Sequence, residues 1–95
     1  FMVALEENDP ELARRLESLR QWAEKDGALS SKTKVLMGLF ADALLGHAEG
    51  VQAIAGRARA MGATEAEIQE TVHMAFLFGG LPALVSGTFA YRRTG

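Results

Sequence analysis

Two histidines carry what acid–base chemistry this chain offers, His47 and His73. Imidazole is the side chain that ordinarily changes charge near neutral pH, which suits it to general acid or base work. Asp42 lies five residues before His47, across Gly46, and is the one acid inside the apolar stretch Val35–Leu45. A carboxylate near a helix C-terminus is unfavourable unless something compensates it. His47 and Arg57 are its candidate partners. His47, Asp42 and Arg57 therefore make a first candidate catalytic set: a proton-transfer group, a carboxylate beside it and a cation to hold an anionic substrate. Glu70 and His73, three residues apart at helical spacing, make a second polar cluster.

Each of these residues also has a plainer reading. His47 can be a helix-start histidine, partly exposed and hydrogen-bonded to nearby backbone. Asp42 can belong to a structural ion pair. Lys32, Lys34, Arg57 and Arg59 could attract a small anionic organic ligand or simply be solvated. Two histidines without a carboxylate at i+4 spacing give no credible metal site, so no metal and no cofactor is expected. The chain has no cysteine. Disulfides, thiolate ligands and thiol nucleophiles are excluded with it.

These residues have to be positioned by helices. The chain contains sixteen alanines and few β-branched runs, a composition that favours helix. The punctuation divides it into five. The first starts at Asp9, an N-cap followed by Pro10 and Glu11, and stops at Gly27, with Leu12, Leu16, Leu19 and Ala23 on its apolar face. The second runs from Ser30 or Ser31 to Gly46 and is apolar all round, as a central helix is. The third runs from His47 to about Met61, with Val51, Ile54, Ala55, Ala58 and Met61 as its stripe. Gly50 and Gly56 inside it suggest close helix approach. The fourth opens with a capping box, Thr64 to Glu67. Its core stripe is Ile68, Val72, Ala75 and Phe76, and a second apolar face of Met74, Leu77 and Phe78 lies opposite. Gly79-Gly80 breaks it, and Pro82 starts a fifth helix to about Arg93. Arg92 and Arg93 suit the negative end of its dipole.

At 95 residues the chain is expected to form one domain, an N-terminal helix over 1–27 and a core over 28–95. Its 48% hydrophobic content is high for so small an interior, which predicts self-association. The net charge of −2 and the lack of a basic stripe argue against nucleic acid. No segment reaches the ~20 apolar residues needed to span a bilayer, so no membrane partner is expected. The N-terminus lacks a secretory pattern, and absence of cysteine fits a cytoplasmic location.

Three segments in order carry a family resemblance: Leu29 to Leu36, Ala58 to Ile68, and Phe76 to Ala83. The second and third read as "A-x-x-x-G-A-[ST]-x-x-E-I" and "[YF]-x-G-x-P-A". From Leu29 to Tyr91 the chain resembles the carboxymuconolactone decarboxylase and alkylhydroperoxidase-D-like family. The resemblance implies a compact all-α bundle assembled as a homo-oligomer, a trimer or hexamer. The peroxidase branch of that family carries C-x-x-C-x-x-x-H just before the "A-x-x-x-G" element. Without gaps, those positions fall here on His47, Gly50 and Ile54, within about 60° of one another around a helix. Dithiol chemistry needs an attacking and a resolving thiol, so thiol peroxidase activity is excluded. The expectation is a non-redox family member with a small-molecule pocket near His47. The alternatives are a cofactor-free acid–base enzyme acting on a small carboxylate or lactone, decarboxylase-like, and a scaffold protein with a vestigial site.

Overall fold

The computed structural model describes residues 1–93, and among them every regular element is helical. The chain divides into two compact units, one over Phe1–Ser31 and one from Lys32 onward.

In the first unit, α1 (Met2–Asn8) and α2 (Pro10–Glu24) meet at Asp9. The Asp9 carboxylate accepts a hydrogen bond from the Leu12 N–H at 3.1 Å, the N-cap read from the sequence. α1 has no side-chain cap and buries no residue, which is why no pattern announced it. α2 ends at Glu24, short of Gly27, because Lys25 turns to extended backbone. Ser31 then ties the loop back, donating its hydroxyl to the Glu24 carbonyl. The expected apolar stripe is corrected here: Leu12, Leu19 and Ala23 are exposed, Leu16 is half-buried, and Ala13 is the residue α2 buries. The inward face is centred one residue away from the leucine row.

The second unit holds α3 (Ser31–Leu45), α4 (Ala48–Ala60), α5 (Glu65–Gly87) and a short 3-10 turn over Thr88–Tyr91. Its core is small and aliphatic: Val35 and Leu39 from α3, Val51 from α4, Ile68 and Val72 from α5, all essentially sealed from solvent. Alanines fill the gaps between them, among them Ala43, Ala55, Ala58 and Ala75. Phe40 and Phe78 meet edge to face at 6.1 Å between α3 and α5. Phe76, expected in the core stripe, is half exposed instead. One position back, Ala75 takes the inward place, and the ring is too large for the layer that alanines set.

The capping box forms as the sequence indicates. The Thr64 N–H donates to Glu67 Oε1 at 2.8 Å, and the Glu67 N–H to Thr64 Oγ1 at 3.1 Å. The Gly79-Gly80 break is a kink rather than a loop: Gly80 stands at φ 73 and ψ −162 while hydrogen bonding resumes on both sides. Two helical segments therefore meet at Gly80, and Pro82 lies in the first turn of the second, as the sequence indicates. The last helix ends at Gly87, not Arg93. Arg92 stacks on Phe89 at 3.8 Å, and Arg93 reaches Glu65 at 3.2 Å. The run Glu65–Tyr91 is, by length and composition, apolar enough to cross a membrane. This corrects the expectation that no segment is apolar enough over that length.

Glu65 and Glu67 bind α5 to its neighbours. Arg59 makes two hydrogen bonds to Glu65, at 2.8 and 2.9 Å, and a third to the Ala90 carbonyl at 2.7 Å. Lys32 pairs with Glu67 at 2.9 Å. The Arg59 guanidinium holds Glu65 below the usual carboxylate range. Glu67 is held down first by the Thr64 backbone N–H and then by Lys32. A carboxylate whose pKa is lower folded than unfolded stabilises the fold above its unfolded pKa, ~4.3 for Glu. That stabilisation disappears as pH falls through the folded value. Melting temperature should accordingly be steady near neutrality and drop on acidification below about pH 4. Glu67→Gln should lower the neutral plateau and shrink the drop. Equal acid sensitivity in Glu67→Gln and the parent chain would remove the pair from the account.

Candidate functional site

The α3–α4 turn is built around a glycine. Gly46 takes φ 76, a left-handed conformation that suits glycine. Its N–H donates to the Ala43 carbonyl, and the His47 N–H to the Asp42 carbonyl at 2.9 Å. This 42-to-47 backbone bond brings the two side chains together. His47 Nδ1 lies 3.2 Å from Asp42 Oδ1. The histidine side chain is 59% exposed and the aspartate 29%. Nδ1 is engaged, so Nε2 is the nitrogen left to meet a ligand.

The structure thus brings together two members of the first candidate set. It does not bring Arg57 to them. Arg57 stands ten residues beyond His47 on α4, about 15 Å along the axis, and Asp42 pairs with His47. Glu70 and His73 are both exposed on α5, and among the described residues no hydrogen bond or ion pair joins them. Two of the four cations suggested for an anion are taken by the glutamates: Lys32 by Glu67 and Arg59 by Glu65.

Gly50, one turn after His47, makes a close approach. A Cβ there would lie 2.7 Å from Asp42 Oδ2 and 3.4 Å from the His47 Cβ. Ile54, one further turn on, packs its Cδ1 over Gly38 of α3, where a Cβ would come within 2.5 Å of it. Gly56, expected to mark a second approach, has open space beside it. The face that starts at His47 is therefore open and polar at its first turn and closed and aliphatic by its third. Of the cavities, one of about 460 Å³ lies between α1 and α2. Another, of about 220 Å³, is lined by Thr33, Leu36, Met37, Phe40, Thr71 and Met74. His47 lines neither.

Residues 10–92 match the carboxymuconolactone decarboxylase family. The chain belongs to that family. The match begins well before Leu29, so α2 is part of the family's pattern as well as the core. The fold agrees with a crystal structure of the apo form of a carboxymuconolactone decarboxylase family protein from Legionella pneumophila. That comparison gives a TM-score of 0.86 at 31% identity, over 94% of this chain and 80% of the other. No curated protein matches the chain.

The resemblance read from the sequence aligns His47, Gly50 and Ile54, without gaps, with the positions that the family's peroxidase branch fills with two cysteines and a histidine. In this family member they hold an imidazole, a bare backbone and an aliphatic side chain seated on Gly38. The relationship of His47 to Asp42 could be suspected from sequence. The role of Gly50 in admitting the carboxylate could not, because it depends on the side-chain direction set by the Gly46 turn.

Proposed function

We propose that the protein is a thiol-independent member of its family, in which the Asp42–His47 couple binds a small carboxylate or lactone and serves as its acid–base group. The observation that carries this is the 3.2 Å contact between Asp42 Oδ1 and His47 Nδ1, on the exposed turn between α3 and α4. A carboxylate on one ring nitrogen fixes the imidazole's tautomer and orientation and leaves the other nitrogen to give or take a proton. The chain supplies no thiol for any other nucleophilic route at this face.

The reading includes self-association. Leu45, Leu77 and Phe78 are each about two-thirds exposed, and Met74, Leu81 and Val85 continue the apolar surface along α5. Exposed apolar surface on this scale marks an interface. A second copy of this chain is the partner proposed, in a closed trimer or hexamer.

The test is His47→Ala. Because the side chain is largely exposed, folding and assembly should survive, with a stability change within about 1 kcal/mol. Binding of small carboxylates and lactones, followed by NMR, should be lost. Unfolding or dissociation of the variant would make His47 structural. Unchanged binding would move the site elsewhere, with Glu70 and His73 next in line. Alkyl hydroperoxide reduction by a dithiol should stay at the buffer blank in both proteins. Turnover above it would reveal a peroxide chemistry that needs no protein thiol and would overturn the non-redox reading.

A further inference from the structure

α2 turns its larger apolar side chains outward. Its inner face holds buried Ala13 with half-buried Leu16, Glu17 and Arg20. Its outer face holds Leu12, Leu19 and Trp22, which are 50%, 60% and 66% exposed. Together with Arg15 they recur at intervals of three and four residues, so they line one side of the helix within about 80°. A soluble helix ordinarily turns such a row inward, and a continuous exposed apolar row marks a contact with another molecule. The outer face of α5 has the same form: Glu70, Met74 and Leu77 are all exposed, and they follow one another at spacings of four and three.

The charges on the two rows are complementary. Arg14 and Arg15 both pair with Glu11, so Arg15 can turn to a second carboxylate while Arg14 keeps the first. α5 carries Glu65, Glu67 and Glu70 and no lysine or arginine. Glu65 is paired with Arg59 and Glu67 with Lys32, whereas Glu70 has no ion pair among the described residues. The spacing then fixes a direction. With the two helices parallel and Arg15 opposite Glu70, Leu19 falls opposite Met74 and Trp22 opposite Leu77, because both rows advance by four residues and then three. The antiparallel arrangement would set Met74 and Leu77 opposite Glu11 and Asn8 instead.

We propose that the outer row of α2 packs, parallel, on the outer row of α5 of a second copy of this chain, with an Arg15–Glu70 pair at one end and Trp22 on Leu77 at the other. This rests on the self-association reading above and names the surface that covers α5. Two different faces meet in this contact, so each copy gives its α2 to one neighbour and receives the α2 of another. Contacts of that kind close into rings when the rotation between copies allows it. Packing α5 on α5 about a twofold axis would leave the α2 row bare.

The experiment mixes two variants and reads sedimentation together with the fluorescence of Trp22, the chain's single tryptophan. Leu19→Glu spoils the α2 face and Leu77→Glu the α5 face. Both positions are exposed, so both variants should fold. Each alone should sediment as a monomer. Mixed in equal amounts they retain one intact pair of faces, and they should form a dimer and nothing larger. Trp22 emission should move to the red as the parent is diluted into monomers. In a second arm, Arg15→Glu and Glu70→Arg should each weaken assembly about fivefold, and both changes in one chain should recover most of that loss. This arm decides the matter if Leu19→Glu does not fold. A Leu19→Glu variant that assembles like the parent, a mixture that stays monomeric, or a double charge reversal without recovery overturns the α2–α5 pairing and leaves self-association standing. A parent that is monomeric at micromolar concentration overturns both.

Discussion

Gly80→Val should lower stability by about 3 kcal/mol and the melting temperature by more than about 10 °C. Gly80 occupies φ 73, ψ −162 in the middle of α5, a region that is essentially reserved for glycine. A branched Cβ cannot follow the backbone there, so either the kink straightens or the residue stays strained. Straightening is blocked by what the kink positions. Gly79 is already so close to Ala83 and Leu44 that a Cβ would come within 2.6 Å of each. Pro82 lacks the N–H that an uninterrupted helix would use two residues on. The matched control is Gly56→Ala in α4, where nothing lies within 4 Å of the new methyl. That change should stabilise by about 0.5–1 kcal/mol, because alanine loses less freedom in a helix. Thermal unfolding of the two variants side by side is the measurement. Equal melting temperatures would mean that the kink is not an obligatory part of the fold.

Leu77→Glu should convert the assembly to monomers. Leu77 is 70% exposed in the isolated chain and stands among Met74, Phe78 and Leu81. If a second copy covers this face, a carboxylate introduced there is desolvated without a partner, at a cost of several kcal/mol per interface. The monomer itself should fold normally, since the Leu77 side chain is mostly exposed and no member of the buried core. Sedimentation of parent and variant at micromolar concentration gives the result. A parent that already runs as a stable monomer would end the proposal of self-association. The Glu65–Tyr91 run also has the length and apolarity of a membrane segment. A monomeric parent that floats with liposomes would assign the face to a lipid surface instead.

Helix starts were legible wherever a side chain performs a local task. Asp9 caps α2, and Thr64 with Glu67 caps α5, both through bonds within four residues. The α1 helix was illegible because no cap and no buried face define it. Burial was legible where periodicity is narrow, as for Ile68 and Val72, and misleading where large side chains flank it, as for Phe76 and the leucines of α2. For the site, the spacing of Asp42 and His47 across Gly46 was enough to suspect the pair. Arg57 was drawn in by charge alone, and a helix of this length carries it out of reach. The family resemblance was carried by short segments in order, while the match itself extends back to residue 10.

The contact between Asp42 and the bare backbone of Gly50 constrains the evolutionary paths open to this sequence. Any side chain at position 50, a cysteine included, would place its Cβ 2.7 Å from the Asp42 carboxylate. The aspartate would have to swing away and release His47, so the mutation would disable the present couple before it supplied a second sulfur. A cysteine at position 47 alone would likewise abolish the imidazole while lacking a resolving thiol. A side chain at position 50 and the Asp42–His47 contact therefore compete for one space in this turn, and a residue larger than glycine there should weaken the couple by turning the carboxylate away.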